Sequence, residues 1–181
     1  VDHAVETYLS IDANAYTDGA CLQALRLLGE GLPRVKNDPT DLEARLKCLM
    51  GAWMSMTGVI TGSRLGASHA IGHILGGSAG VPHGHTSCIM LPYVLNWNES
   101  VNGERQKEVA IAMGRPDVAA SQVLDDFISD LDMPRRIRDA GVKESDLLRL
   151  AENCMLDDWT YSNPREIRSP EQVMEILRMA Y

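Results

Sequence analysis

Three of the chain's five histidines, His69, His73 and His83, fall within fifteen residues of one another. The run His69-Ala70-Ile71-Gly72-His73 has i, i+4 spacing. On a helix this stacks two imidazoles on one face, about 6 Å apart, so both address one small volume. Pro82-His83-Gly84 sets a third imidazole at an expected helix start, fourteen residues after His69 and across a glycine-rich turn that folds it back. Neutral imidazole is the commonest protein ligand for zinc or iron, and it titrates near neutral pH. The chemistry such a cluster offers is metal binding or proton transfer.

The surrounding residues narrow this. A zinc-protease H-E-x-x-H site is excluded, because position 70 is Ala and no general-base Glu is present. Gly66, Gly72, Gly76, Gly77, Gly80 and Gly84 frame the histidines. Each costs roughly 1 kcal/mol against Ala inside a helix, so their accumulation implies close approach of another backbone or a planar ligand. His3, with Glu6 one turn on, is a fourth candidate, although by its own spacing it reads as a surface histidine. Asp2, one helical step from His3, points elsewhere. His85 projects away from His83. Asp157-Asp158 reads as a solvated turn rather than a catalytic dyad, and Met50, Met54 and Met56 as core filler. Cys88, Trp97 and Trp159 are candidate pocket liners.

Almost every segment repeats with helical period, and almost none alternates with period two. Helices are expected near 1–9, 18–35, 41–60, 66–75, 84–97, 102–113, 117–131 and 143–157, with a last one capped by Ser169 with Pro170 at its first position. Asn163-Pro164-Arg165 reads as a rigid turn leading into that last helix. Loops are short, and the fold class is all-α, with residues 1–181 as a single helical domain. The opening Val1-Asp2-His3 reads as a helix interior, as if cut from a longer chain.

Composition agrees. With 181 residues, 45% of them hydrophobic and only 5% aromatic, the core must be filled by aliphatic side chains and methionine, which suits helix-on-helix packing. A net charge of -8 argues against binding a nucleic-acid backbone. No membrane span or signal peptide is legible, and a cytoplasmic location is expected. Four scattered cysteines without a C-x-x-C pair read as free thiols.

The run from His69 to Gly77, followed by Pro82-His83-Gly84 and Leu91-Pro92, resembles the H-x-x-x-H-x-L-G…P-H-G…L-P signature of the iron-containing (group III) alcohol dehydrogenase family. His3-Ala4-Val5-Glu6, Ala44-Arg45 with Gly51-Ala52, and Asn163-Pro164-Arg165 extend that resemblance across the chain. It implies the helical C-terminal domain of the dehydroquinate synthase-like fold. A dinucleotide-binding N-terminal domain, absent from this chain, would complete an NAD- or NADP-dependent enzyme acting on a small alcohol, aldehyde, ketone or keto-acid, with homodimerisation. It also implies that His3, His69 and His83 ligate Fe(II) or Zn(II), and that His73 faces nicotinamide and substrate. A fourth ligand, an Asp, would fall just before Val1. Maleylacetate reductases are close relatives in which that Asp is replaced and no metal is needed, but they carry P-H-A where this chain has Pro82-His83-Gly84. The rival from another class is a non-catalytic helical interaction domain. This chain alone is expected to be inactive, since no cofactor-binding half is present.

Overall fold

A computed structural model describes all residues, 1–181, and contains helices and turns with no strand. The helices are α1 (Asp2–Leu9), α2 (Ala15–Asn37), α3 (Leu42–Ser55), α4 (Thr57–Ile60), α5 (Ala67–Ala79), α6 (His83–Ala112), α7 (Ala120–Asp130), α8 (Leu147–Cys154) and α9 (Pro170–Ala180). None is long and apolar enough to cross a membrane. All four cysteines are free thiols.

Local chemistry explains most boundaries. Asn14 caps α2 through a capping box with Thr17, so the helix begins three residues before the expected Asp18. The expected helix 41–60 is two pieces, with Met56 between α3 and α4. The expected pair 84–97 and 102–113 is one element. α6 runs through Asn102, whose φ of -129° and ψ of 22° kink it. There Gln106 Nε2 donates to Leu95 O and to Asn102 Oδ1, each at 2.8 Å, compensating the disturbed ladder. The expected helix 143–157 is a short 3-10 turn, Glu144–Asp146, followed by α8.

α6 is the central pillar and divides the core in two. Leu91 and Leu95 pack with α1, α2 and α7 through Val5, Leu25 and Leu124. Ile89, Met90 and Val94 pack with α5, α8 and α9 through Ile71, Leu150 and Ile176. The start of α6 therefore lies at the seam between the two halves, where α1 and α5 also meet.

The outer face of α3 departs from the methionine expectation. Met50 is exposed and Met56 only half-buried, and Leu46, Leu49 and Trp53 also face outward, while the half-buried Met54 does pack against the core as expected. α3 buries instead its narrow edge, Ala44 and Gly51, against α2. Small residues there let the two backbones approach.

α4 reaches α1 by a similar device. A Cβ at Gly58 would lie 2.0 Å from Thr7 Cγ2, and Thr7 is fully buried. Because a β-branched side chain has little rotamer freedom to yield, Gly58→Ala is expected to cost about 1–3 kcal/mol, read as a lowered urea midpoint at unchanged m-value.

The segment leading into α5 is tied back to the end of α1. Arg64 forms a two-pronged pair with Asp12, its Nε at 2.8 Å from Oδ2 and its Nη2 at 2.8 Å from Oδ1. The Arg64 guanidinium and backbone N–H hold the Asp12 carboxyl down at about 2, below its ordinary 3.8. A depressed folded-state pKa gives stability that is present above the unfolded value and lost as pH falls through the folded one. Between about pH 4 and pH 2 the wild-type protein should lose more stability than Asp12→Asn, as measured by denaturation midpoints across that range. The pair is partly exposed, so the difference is modest.

A four-histidine candidate active site

α5 carries His69 and His73, and two remote side chains cap its N-terminus. Its own N-cap, Gly66, offers no side chain. Instead the Glu6 carboxylate of α1 accepts from the backbone N–H groups of Gly66 (3.2 Å), Ser68 (2.9 Å) and His69 (3.2 Å). Asn163 Oδ1 accepts from Ala67 N at 3.2 Å, while Asn98 of α6 exchanges two amide hydrogen bonds with Asn163. The orphan donors of the first helical turn are thus satisfied, and a negative charge sits at the positive end of the helix dipole. A Cβ at Gly66 would meet both Asn163 Oδ1 and Glu6 Oε1 at 3.0 Å, so glycine there is what lets the caps come close. Gly72 likewise admits Thr86 of α6, whereas Gly77 and Gly84 face open space. Asn163-Pro164-Arg165 therefore does more than lead into α9. Its Asn positions the histidine helix, and Arg165 stacks 3.9 Å from the ring centre of Trp97.

Glu6 also sets the chemistry of His69. Its Oε2 lies 2.8 Å from His69 Nδ1, so a carboxylate, which only accepts, fixes the proton on Nδ1. The other ring nitrogen, Nε2, is buried and has no hydrogen-bond partner. Burial works to lower the His69 pKa, but the Asp2 and Glu6 carboxylates outweigh it and hold it up at about 9. Asp2 does not point away as the sequence reading had it. It is buried on the Nδ1 side, accepts from Ser68 Oγ at 2.8 Å, and lies 3.5 Å from His69 Nδ1. Asp2, Glu6 and His69 offer donor atoms close enough together to hold a cation. Both Glu6 oxygens and His69 Nδ1 are already committed to one another and to the α5 backbone, while Asp2 Oδ1 is buried without a partner.

The remaining histidines gather around His69. The His3 ring is 4.6 Å from that of His69, centre to centre, and the His83 ring 6.2 Å. His73 lies 6.4 Å from His69 and 6.1 Å from His83, nearly parallel to the latter. His3 is half-buried. Burial, then the neighbouring His69 charge, press its pKa down to about 4, so its imidazole is neutral at physiological pH. The structure brings all four predicted site histidines together, one from α1, two from α5 and one from the first residue of α6; His69 is buried, His73 and His83 are exposed, and the exposed His85 makes none of these ring contacts.

Two readings of neighbouring residues need correction. Asp157 is not a solvated turn residue: its side chain is only 17% exposed, and its Oδ2 lies 2.7 Å from His73 Nδ1. The tight turn at Asp157–Trp159 aims the carboxylate inward, and sequence spacing alone does not reveal this. Of the candidate liners, Trp159 does belong to the site, its ring 5.1 Å from His73 and 6.0 Å from His69. Trp97 does not: it is buried in the core, bonded through Nε1 to Glu175. Cys88 lines, with His3 and His83, an apolar cavity of about 380 Å³.

The helical domain thus presents four converging imidazoles, one of them held by buried carboxylates, residue types able to bind a metal or carry a proton. The whole chain, residues 1–181, matches the Fe-containing alcohol dehydrogenase family, C-terminal, and it belongs to that family. It is 34% identical to 1,3-propanediol dehydrogenase of Citrobacter freundii, over 99% of this chain and 48% of that protein. It is 31% identical to maleylacetate reductase 1 of Cupriavidus pinatubonensis (strain JMP 134 / LMG 1197), over 93% of this chain and 46% of that protein. The crystal structure of maleylacetate reductase from Rhizobium sp. strain MTP-10005 superimposes with a TM-score of 0.89 at 29% identity, over 99% of this chain and 49% of that one. The chain spans about half the length of the curated relatives it matches.

Proposed function

We propose that this chain is the catalytic helical half of an NAD(P)-dependent oxidoreductase that interconverts a small alcohol and the corresponding carbonyl compound. The other half would be a dinucleotide-binding domain N-terminal to it. The single observation carrying the proposal is the buried, unpartnered Nε2 of His69 beside the rings of His3 and His83. An orphaned imidazole nitrogen in a buried site is costly unless something binds it, and a divalent cation fits. The donor set suits such an ion: His3 is neutral, and Asp2 and Glu6 already stabilise one positive charge on His69, which a cation at Nε2 would replace.

His3, His69 and His83 would hold Fe(II) or Zn(II), which when bound supplies Lewis acidity toward a carbonyl or alkoxide oxygen. Glu6 keeps the His69 proton on Nδ1 and so keeps Nε2 free as a donor. The half-open His73, its side chain 39% exposed, is the residue available to face nicotinamide and substrate. Trp159 and the buried α5 terminus shield the inner side from water. The family's range, alcohol dehydrogenases and maleylacetate reductases alike, supports this reaction class.

The test is nicotinamide-dependent turnover by the full-length protein, followed by absorbance with NAD+ and NADP+ against simple alcohols, and with the reduced cofactors against aldehydes and maleylacetate. Substrate-dependent change is expected. Its absence with every pairing would move the chain to the non-catalytic interaction reading.

A further inference from the structure

We infer that Asp157 is the positioning residue for His73, fixing its tautomer and ring orientation so that Nε2 alone faces the reacting groups. This rests on the oxidoreductase reading above and deepens it.

The two oxygens of Asp157 do separate jobs. Oδ1 accepts from Trp159 N at 2.9 Å and so caps the 3-10 turn Asp158–Thr160. Oδ2 lies 2.7 Å from His73 Nδ1, a contact bridging eighty-four positions of sequence. The capping bond fixes the carboxylate, and the carboxylate fixes the ring. As an acceptor, it requires the proton of neutral His73 to sit on Nδ1, leaving Nε2 with a free lone pair. The Trp159 ring, 5.1 Å away and tilted by 36°, blocks one direction of ring rotation, and Trp159 is itself held by the turn that Asp157 caps. In the oxidation direction the alcohol O–H bond would break and an N–H bond would form at His73 Nε2, a bound nicotinamide supplying the hydride acceptor. The positive charge left on the imidazole then faces the Asp157 carboxylate. A base oriented by a third group is the general logic of positioned proton transfer.

Asp157→Asn separates the two jobs. The Asn oxygen can still cap Trp159 N, which leaves its NH2 toward His73 Nδ1. A donor there drives the His73 proton to Nε2 and removes the lone pair from the reacting side. The experiment compares wild type, Asp157→Asn and His73→Ala in the full-length protein. Propane-1,3-diol, butan-1-ol and maleylacetate serve as probe substrates, with 15N-histidine NMR of the same samples. Asp157→Asn is expected to lower kcat about tenfold or more, within the roughly 10²–10⁴-fold that a positioned proton-transfer group contributes, at unchanged cofactor KM. The His73 nitrogen shifts should report the proton on Nδ1 in wild type and on Nε2 in Asp157→Asn. A lowered kcat without a tautomer change would mark Asp157 as merely structural and overturn the inference. So would unaltered turnover in Asp157→Asn where His73→Ala is impaired, and that result would leave the oxidoreductase reading intact. Unaltered turnover in His73→Ala as well would overturn the role given to His73 itself. The NMR arm needs no substrate, and a wild-type His73 with its proton on Nε2 overturns the inference by itself.

Discussion

Glu6→Gln is expected to destabilise the protein by about 3–5 kcal/mol, the range for breaking a buried charge pair by removing one partner. Glu6 accepts from three backbone N–H groups of α5 and from His69 Nδ1, all buried. Gln is nearly the same size but keeps only one acceptor oxygen, and its NH2 faces a donor cluster. At least one helix-terminal N–H and the His69 imidazolium lose their partner, and each unsatisfied buried donor adds roughly 1–3 kcal/mol. Against a total stability of about 5–15 kcal/mol this is a large loss, legible as a drop in the urea midpoint at constant m-value. A loss below about 1 kcal/mol would mean that Asn163, accepting from Ala67 N, and Asp2, accepting from Ser68 Oγ, hold the α5 terminus without Glu6.

His69→Ala has the largest expected effect on activity, at least 10³-fold in kcat/KM, and it also destabilises the fold, because it leaves the buried Asp2 and Glu6 carboxylates without their cation. The ring is buried at the meeting point of α1, α5 and α6, its Nε2 has no hydrogen-bond partner, and its centre lies 4.6 Å from that of His3 and 6.2 Å from that of His83. Removing it takes away the central donor, and also the cation that Asp2 and Glu6 enclose. Losing a metal ligand loosens or displaces the ion and with it the Lewis acidity toward the reacting oxygen, worth several kcal/mol of transition-state stabilisation. Full-length variants assayed at saturating cofactor separate this from a binding defect. Turnover within tenfold of wild type would place the chemistry elsewhere.

How far the sequence carries depends on the kind of interaction. Helical periodicity located nearly every helix, and the i, i+4 spacing of His69 and His73 put both rings on one face. Where it failed, the deciding contact was remote or strictly local. The start of α2 depends on a capping box at Asn14 and Thr17, which outweighs the apolar pattern beginning at Asp18. Met50 lies in an apolar run, yet α3 turns its small residues inward because Gly31 and Gly51 let the α2 and α3 backbones close together. Asp157 looked solvated because nothing in its neighbourhood names its partner, which lies eighty-four positions away. Glu6 was visible within His3-Ala4-Val5-Glu6, but its role as cap and tautomer lock appears only once α1 and α5 are packed together. The convergence of His3 on His69 likewise rested on family resemblance, since its own spacing gave no sign of it.

The measurement that tests the central claim most directly is the metal content of the full-length protein and of its His69→Ala variant, by inductively coupled plasma mass spectrometry after dialysis. One iron or zinc per chain is expected in wild type and none in the variant, with turnover lost in parallel on exhaustive chelation and restored by Fe(II) or Zn(II). Full turnover in a wild-type protein that carries no metal would contradict the account, leaving His73 and its neighbours to polarise the carbonyl unaided.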